Sequence, residues 1–131
     1  MKCTGAALAG ISVFLVGQAL TAAPPAKADC APGACYAAIA YSPSRAFARS
    51  DHNNSTQAIA DRDAVAGCNA QGNTNDCIVV ARGMQCLALA TIPSGQDEFY
   101  NTGVGPTKEA ADGAALAGHP GWTIQIDDCN G

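Results

Sequence analysis

The apolar positions of this chain fall into a loose repeat. Tyr36-Ala-Ala-Ile-Ala-Tyr-Ser-Pro-Ser44 aligns without a gap with Cys86-Leu-Ala-Leu-Ala-Thr-Ile-Pro-Ser94. Each run reads as an apolar strand ending in a Pro-Ser turn. Each is followed by a segment with a central aromatic, Ala46 to Asp51 and Glu98 to Thr102, which reads as a second strand closing a hairpin. A helix comes next in both halves. Asn53-Asn54-Ser55-Thr56 offers side-chain oxygens for the free N–H groups of a first turn, and the pattern predicts a helix to about Gly67 with Ala58, Ile59, Val65, Ala66 and Cys68 on one face. In the second half Thr107 caps, after Gly105-Pro106. Ala110, Ala111, Ala114, Ala115 and Leu116 follow, and Gly118-His119-Pro120-Gly121 ends the helix. Glu109 and Asp112 lie in its early turns, where carboxylates suit the helix dipole. Cys77-Ile-Val-Val-Ala81 is rich in β-branched residues, and Trp122-Thr-Ile-Gln-Ile126 alternates polar with apolar; both read as strands.

The order is ββαβ twice. It predicts an α+β domain: a mostly antiparallel sheet with both helices packed on one face. Two small subdomains facing each other are the alternative.

The N-terminus has a different pattern. Lys2 is followed by an uncharged apolar run from Ala6 to Ala23, then Pro24-Pro25 and the small residues of Ala26-Lys27-Ala28. These are the parts of a secretory signal cleaved after Ala28, with Ala23 as the second choice of site. Gly10, Gly17 and Gln18 interrupt the run, which argues against a membrane anchor. Asp29 just before Cys30 does not suit lipidation. Residues 29–131 are then one small domain, secreted or held at the cell envelope, with no stable membrane insertion.

Beyond the leader the chain has five basic residues (Arg45, Arg49, Arg62, Arg82, Lys108) against eleven acidic ones, a net −6. An acidic surface repels phosphate backbones, so nucleic acid is not an expected partner. Much of the apolar content is alanine, which buries little area, and burial contributes only about 25 cal/mol per Å². A thin core in a small domain points to disulfides for part of the stability.

Cysteine usage agrees. Cys3 lies in the leader; Cys30, Cys35, Cys68, Cys77, Cys86 and Cys129 remain, an even set in an exported chain. Six cysteines permit fifteen pairings. Pairing of neighbours is favoured: Cys30–Cys35, Cys68–Cys77 tying the first helix exit to the next strand, and Cys86–Cys129 fastening the C-terminus. Zinc motifs need short Cys-x₂₋₄-Cys pairs, and only Cys30-x₄-Cys35 has such a spacing, with no second pair beside it. No Cys-x-x-Cys suits thioredoxin-type chemistry. No metal or other cofactor is expected.

Candidate chemistry is sparse. His52 and His119 are read as solvent-exposed loop residues; a catalytic reading pairs one of them with Asp127, Asp128 or Glu98. Ser42, Ser44 and Ser94 read as turn residues, and no Gly-x-Ser-x-Gly is present. Asp97-Glu98 and Asp127-Asp128 resemble glycosidase carboxylates in type, but neighbours on a strand point to opposite faces. Gly103-Val-Gly105-Pro-Thr107 has no basic partner for an anion and reads as a helix start. Asn53 and Asn54 are formal glycosylation sequons that capping explains.

Several segments resemble the bacterial secreted domain of unknown function 4189 family. They are Ala38-Ile-Ala-Tyr-Ser42, Ala64-Val-Ala-Gly-Cys68, Asp76-Cys-Ile-Val-Val80, Cys86-Leu-Ala-Leu-Ala90, Tyr100-Asn-Thr-Gly103, Glu109-Ala-Ala-Asp112 and Cys129-Asn130. The resemblance spans roughly Tyr36 to Asn130. Leu87 replaces the family's glycine, the Cys68–Cys77 loop is longer than usual, and Cys30 and Cys35 are extra. The resemblance brings no catalytic residues and implies small secreted proteins, some acting at a host. The expectation is a non-enzymatic interaction module with a protein partner. Alternatives are an enzyme inhibitor or immunity-like protein, and a small hydrolase using His52 or His119.

Overall fold

A computed structural model of the chain describes residues 30–92 and 99–131. The leader (1–28), Pro93-Ser94 and Asp97-Glu98 lie outside the described residues. The elements are β1 (Tyr36–Ser42), β2 (Phe47–Asn54), α1 (Gln57–Gly72), β3 (Ile78–Gly83), β4 (Cys86–Thr91), β5 (Tyr100–Gly105), α2 (Lys108–Leu116) and β6 (Thr123–Asp128).

The ββαβ repeat is present, and the pairing is antiparallel throughout. The strands form two sheets rather than one, ordered β2-β1-β3 and β5-β4-β6. The halves therefore follow the alternative arrangement, two units facing each other. The helices lie on the two outer faces instead of sharing one.

Side-chain size explains these layers. β1 and β4 are central strands covered on both sides, so they are apolar at nearly every position. Alternate residues point to opposite faces. Ile39, Tyr41, Leu87 and Leu89 meet between the sheets, with Ala37 and Ala81. Ala38 and Ala40 face Ala60, Ala64 and Cys68 of α1; Ala88 and Ala90 face Ala111 and Ala115 of α2. Large side chains fill the gap between sheets, and alanines let each helix lie close to its own sheet.

The repeat extends to irregularities. Where β1 meets β3, the register slips between Ile39 and Ala40, so Val80 is bulged. Where β4 meets β6, it slips between Leu89 and Ala90, at Gln125. These are equivalent positions of the repeat, and bulges add local twist to a sheet. Both helices start alike: Thr56 Oγ1 accepts from Ile59 N at 3.2 Å, and Thr107 Oγ1 from Ala110 N at 3.1 Å.

Two boundaries differ from the sequence expectation. β2 runs past Asp51 to Asn54, so His52 is a strand residue. α1 continues through Gly67 to Gly72 and is capped by Asn73 in the left-handed region (φ 49°). Gly67 is no stop signal: a Cβ there would lie 3.2 Å from Arg49 Nε, and one on Gly72 2.9 Å from Phe47 Cδ1. These glycines admit β2 side chains against the helix. Cys68 is consequently inside α1, one turn before its end.

Cys30–Cys35, Cys68–Cys77 and Cys86–Cys129 are bonded, with Cα separations of 5.1, 6.1 and 4.0 Å. The second joins α1 to the start of β3. The third joins the start of β4 to the residue after β6.

Candidate functional site

The facing of the two sheets assembles one cluster that no short motif announced. On β2, Arg49 and Asp51 lie on the α1 side, opposite Ala40 and Ala38, while Ser50 lies opposite Ile39 on the inter-sheet side. On β6, Asp128 is the register partner of Leu87 and Asp127 that of Ala88. Asp128 therefore faces between the sheets and Asp127 faces α2, as neighbours on a strand must. The two edges meet there. His52 Nδ1 lies 2.8 Å from Asp128 Oδ2, and Ser50 Oγ donates to the same oxygen at 2.7 Å. Asp128 Oδ1 accepts from Cys129 N at 2.9 Å.

Ser, His and Asp together suggest a hydrolytic triad, so the geometry decides. In a triad the carboxylate orients the imidazole through Nδ1, and the nucleophile donates to Nε2. The first half is present. The second is not: Ser50 donates to the carboxylate instead. His52 is 42% exposed and so remains wet on its other side. What the cluster does is join the first unit to the second. Gln125 Nε2 donating to Ala46 O at 2.9 Å extends the same seam. So does a reciprocal pair of amides, Asn53 N to Asn130 Oδ1 at 2.9 Å and Gly131 N to Asn53 Oδ1 at 2.7 Å. Beside it is a cavity of about 240 Å³ lined by Cys30, Pro32, Cys35, Asn53 and Gly131. None of these residues has a carboxylate or imidazole side chain.

The other sequence candidates separate. His119 stacks on Trp122, with ring centroids 4.1 Å apart, inside the turn that ends α2. Glu98 lies outside the described residues. Ser42 and Ser44 are turn residues, and more: Ser42 is fully buried, and its hydroxyl donates to Asp76. Thr74 Oγ1 donates to Asp76 Oδ1 at 2.7 Å, and Ser44 N to Oδ2 at 3.1 Å. These hydrogen bonds to the charged form hold the Asp76 carboxyl far below the usual carboxylate range, the Ser42 hydroxyl first among them. Asp76 thereby locks the β1–β2 turn to the loop between α1 and β3. Gly103 and Gly105 are glycine for α2's sake: a Cβ on Gly103 would sit 2.0 Å from Ala111 O, and one on Gly105 2.6 Å from Ala110 Cβ. Among the described residues no three His, Cys, Asp or Glu side chains converge in a way that could hold a metal ion. No helix among them is long and apolar enough to cross a membrane.

The sandwich has two rims, and they contrast. At the β2/β6 rim, Asp128 brings charge beside His52, and cross-sheet hydrogen bonds close it. At the other rim, β3 and β5 are the edge strands, and Arg82 is the single charged residue between them. Tyr41 anchors this rim from below. Ile78 is its register partner, and Tyr100 lies on its ring at 5.3 Å. Tyr100, Thr102 and Val104 share one face, opposite Thr91, Leu89 and Leu87. Yet Ile78 is 49% exposed, Val104 48%, Phe99 51% and Tyr100 37%. The sequence puts these residues in or beside strands; that they share one edge follows from how the two sheets face each other.

Three comparisons with known proteins bear on this geometry. A family model described as a domain of unknown function (DUF4189) matches residues 36–119. No curated protein matches. Among solved structures, the NMR structure of Rv1813c from Mycobacterium tuberculosis is similar, at 29% identity and a TM-score of 0.59, over 98% of this chain and 100% of that one.

Proposed function

The chain belongs to the DUF4189 family, and from that premise we propose that it is an exported, non-enzymatic interaction module that binds a protein along the β3/β5 rim. The contrast between the rims carries this reading. Natural sheets blunt free edges with charge, proline or a covering segment. Among the described residues, β3 and β5 have no strand beside them, and neither contains proline. Their outer N–H and C=O groups suit an extended segment, and Ile78, Tyr100 and Val104 suit alternate apolar side chains on it. The partner is accordingly a protein offering such a segment, at the cell envelope or on a host. Three disulfides fit an oxidising compartment.

A hydrolytic reading has one observation behind it, the Asp128–His52 pair. Among the described residues no nucleophile bonds the imidazole, and Ser50 donates to Asp128. Affinity capture from envelope extract or host lysate separates the two. The wild type retains a protein that Ile78→Lys and Val104→Lys lose and Arg62→Glu keeps. No retention by the wild type, together with turnover in a hydrolase panel that His52→Ala abolishes, overturns the binding reading.

A further inference from the structure

α2 is a short helix held by little area. It buries Ala111 and Ala115, and it rests on backbone at Gly103 and Gly105. Next to Ala111, Asp112 turns toward β6. Its Oδ1 is out of water with no hydrogen-bond partner, and Lys108, one turn earlier on the same helix face, reaches Asp127 on β6. Two carboxyl groups hydrogen-bond to each other only while one of them carries a proton. The surrounding groups are few. Lys108 Nζ lies 3.4 Å from Asp127 Oδ1, and Glu109 adds a second negative charge from the helix. β4 contains no charged residue, and β5 presents Asn101, Gly103 and Gly105 to this face. One lysine thus faces three carboxyl groups.

We propose that Asp112 and Asp127 form a proton-dependent latch between α2 and β6, closed in mildly acidic solution and strained at neutral pH. With the proton in place, a carboxyl donates to a carboxylate across the helix–sheet seam. Without it, two negative charges are held in contact, and one oxygen is buried without a donor. Burial first, then Asp127, pushes the Asp112 carboxyl above its usual range, while Lys108 opposes this. The folded state therefore holds the proton more tightly than the unfolded chain. Stability from this pair is full below the unfolded pKa and is lost as pH rises through the folded one.

The test is thermal unfolding of the full domain across about pH 4 to 8, for the wild type and for Asp112→Asn. The amide of Asp112→Asn donates to Asp127 at every pH, so the latch stays closed. The wild-type Tm is expected to fall as pH rises through this range. Asp112→Asn should lose that slope and gain about 4–8 °C at neutral pH. Carbon-13 NMR titration of the wild type reads the group directly, even if the variant fails to fold. An Asp112 carboxyl titrating above the ordinary aspartate value supports the latch. Parallel Tm profiles, or an ordinary Asp112 titration, overturn it.

Discussion

Replacing Gly103 by alanine tests how α2 is seated. The added Cβ would lie 2.0 Å from Ala111 O, 2.4 Å from Ala115 N and 2.9 Å from Ala114 Cβ. Ordinary contact begins at 3.4 Å, so the helix must retreat by about 1.4 Å at its closest point. Two of the three obstructing atoms are backbone, which cannot rotate away. Retreat also uncovers Ala111 and Ala115, the two residues α2 buries. Overpacking a tight site typically costs 1–3 kcal/mol, and backbone obstruction puts this case at the upper end, about 3 kcal/mol. For a domain of this size that lowers Tm by about 12–24 °C. Gly113→Ala is the control. It lies in the same helix, with nothing within 4 Å of its Cβ position. Removing a helical glycine there should stabilise by about 0.5–1 kcal/mol. Urea denaturation of both variants reads the two signs. A Gly103→Ala protein as stable as the wild type would refute the close seating of α2 on β5.

Two further outcomes follow from the staples and the hydrogen-bonded carboxylate of Asp76. Replacing Cys86 and Cys129 together by serine should cost about 4 kcal/mol in the chain-entropy picture, against about 2.6 kcal/mol for Cys68 and Cys77, because the first pair closes the longer loop; urea midpoints give the order, and equal losses would contradict it. Asp76→Ala should destabilise at neutral pH, and the gap from the wild type should narrow as pH falls below about 4. The sign follows from the lowered pKa: Asp76 contributes stability above its unfolded pKa and loses it as pH falls through the folded value.

The repeat was legible because it is local. An apolar strand, a turn and a capped helix each leave a signal within a few residues, and the two copies reinforce each other. Even the matching bulges sit at aligned positions. The split into two sheets was less accessible, since apolar residues on both faces of β1 say only that both faces are covered. α1 outran its expected end because Gly67 serves packing against Arg49, a role sequence does not distinguish from a stop. The polar clusters were hidden by distance along the chain. Asp128 meets Ser50 and His52 only when the sheets face each other. Asp76 reaches Ser42 only after α1 has returned the chain to the β1–β2 turn. In the sequence Asp112 shows only as an early-turn carboxylate that suits the helix dipole. A carboxylate immediately after a buried alanine on a helix was the available sign that it borders a seam.

The rim proposal is tested most directly by placing a photo-cross-linking side chain at Val104 on the open rim and, separately, at Gln125 on the closed one. Irradiation with envelope extract or host lysate should join a protein to position 104 and leave position 125 unmodified. Equal cross-linking at both positions, or cross-linking at 125 alone, would contradict recognition through the β3/β5 rim.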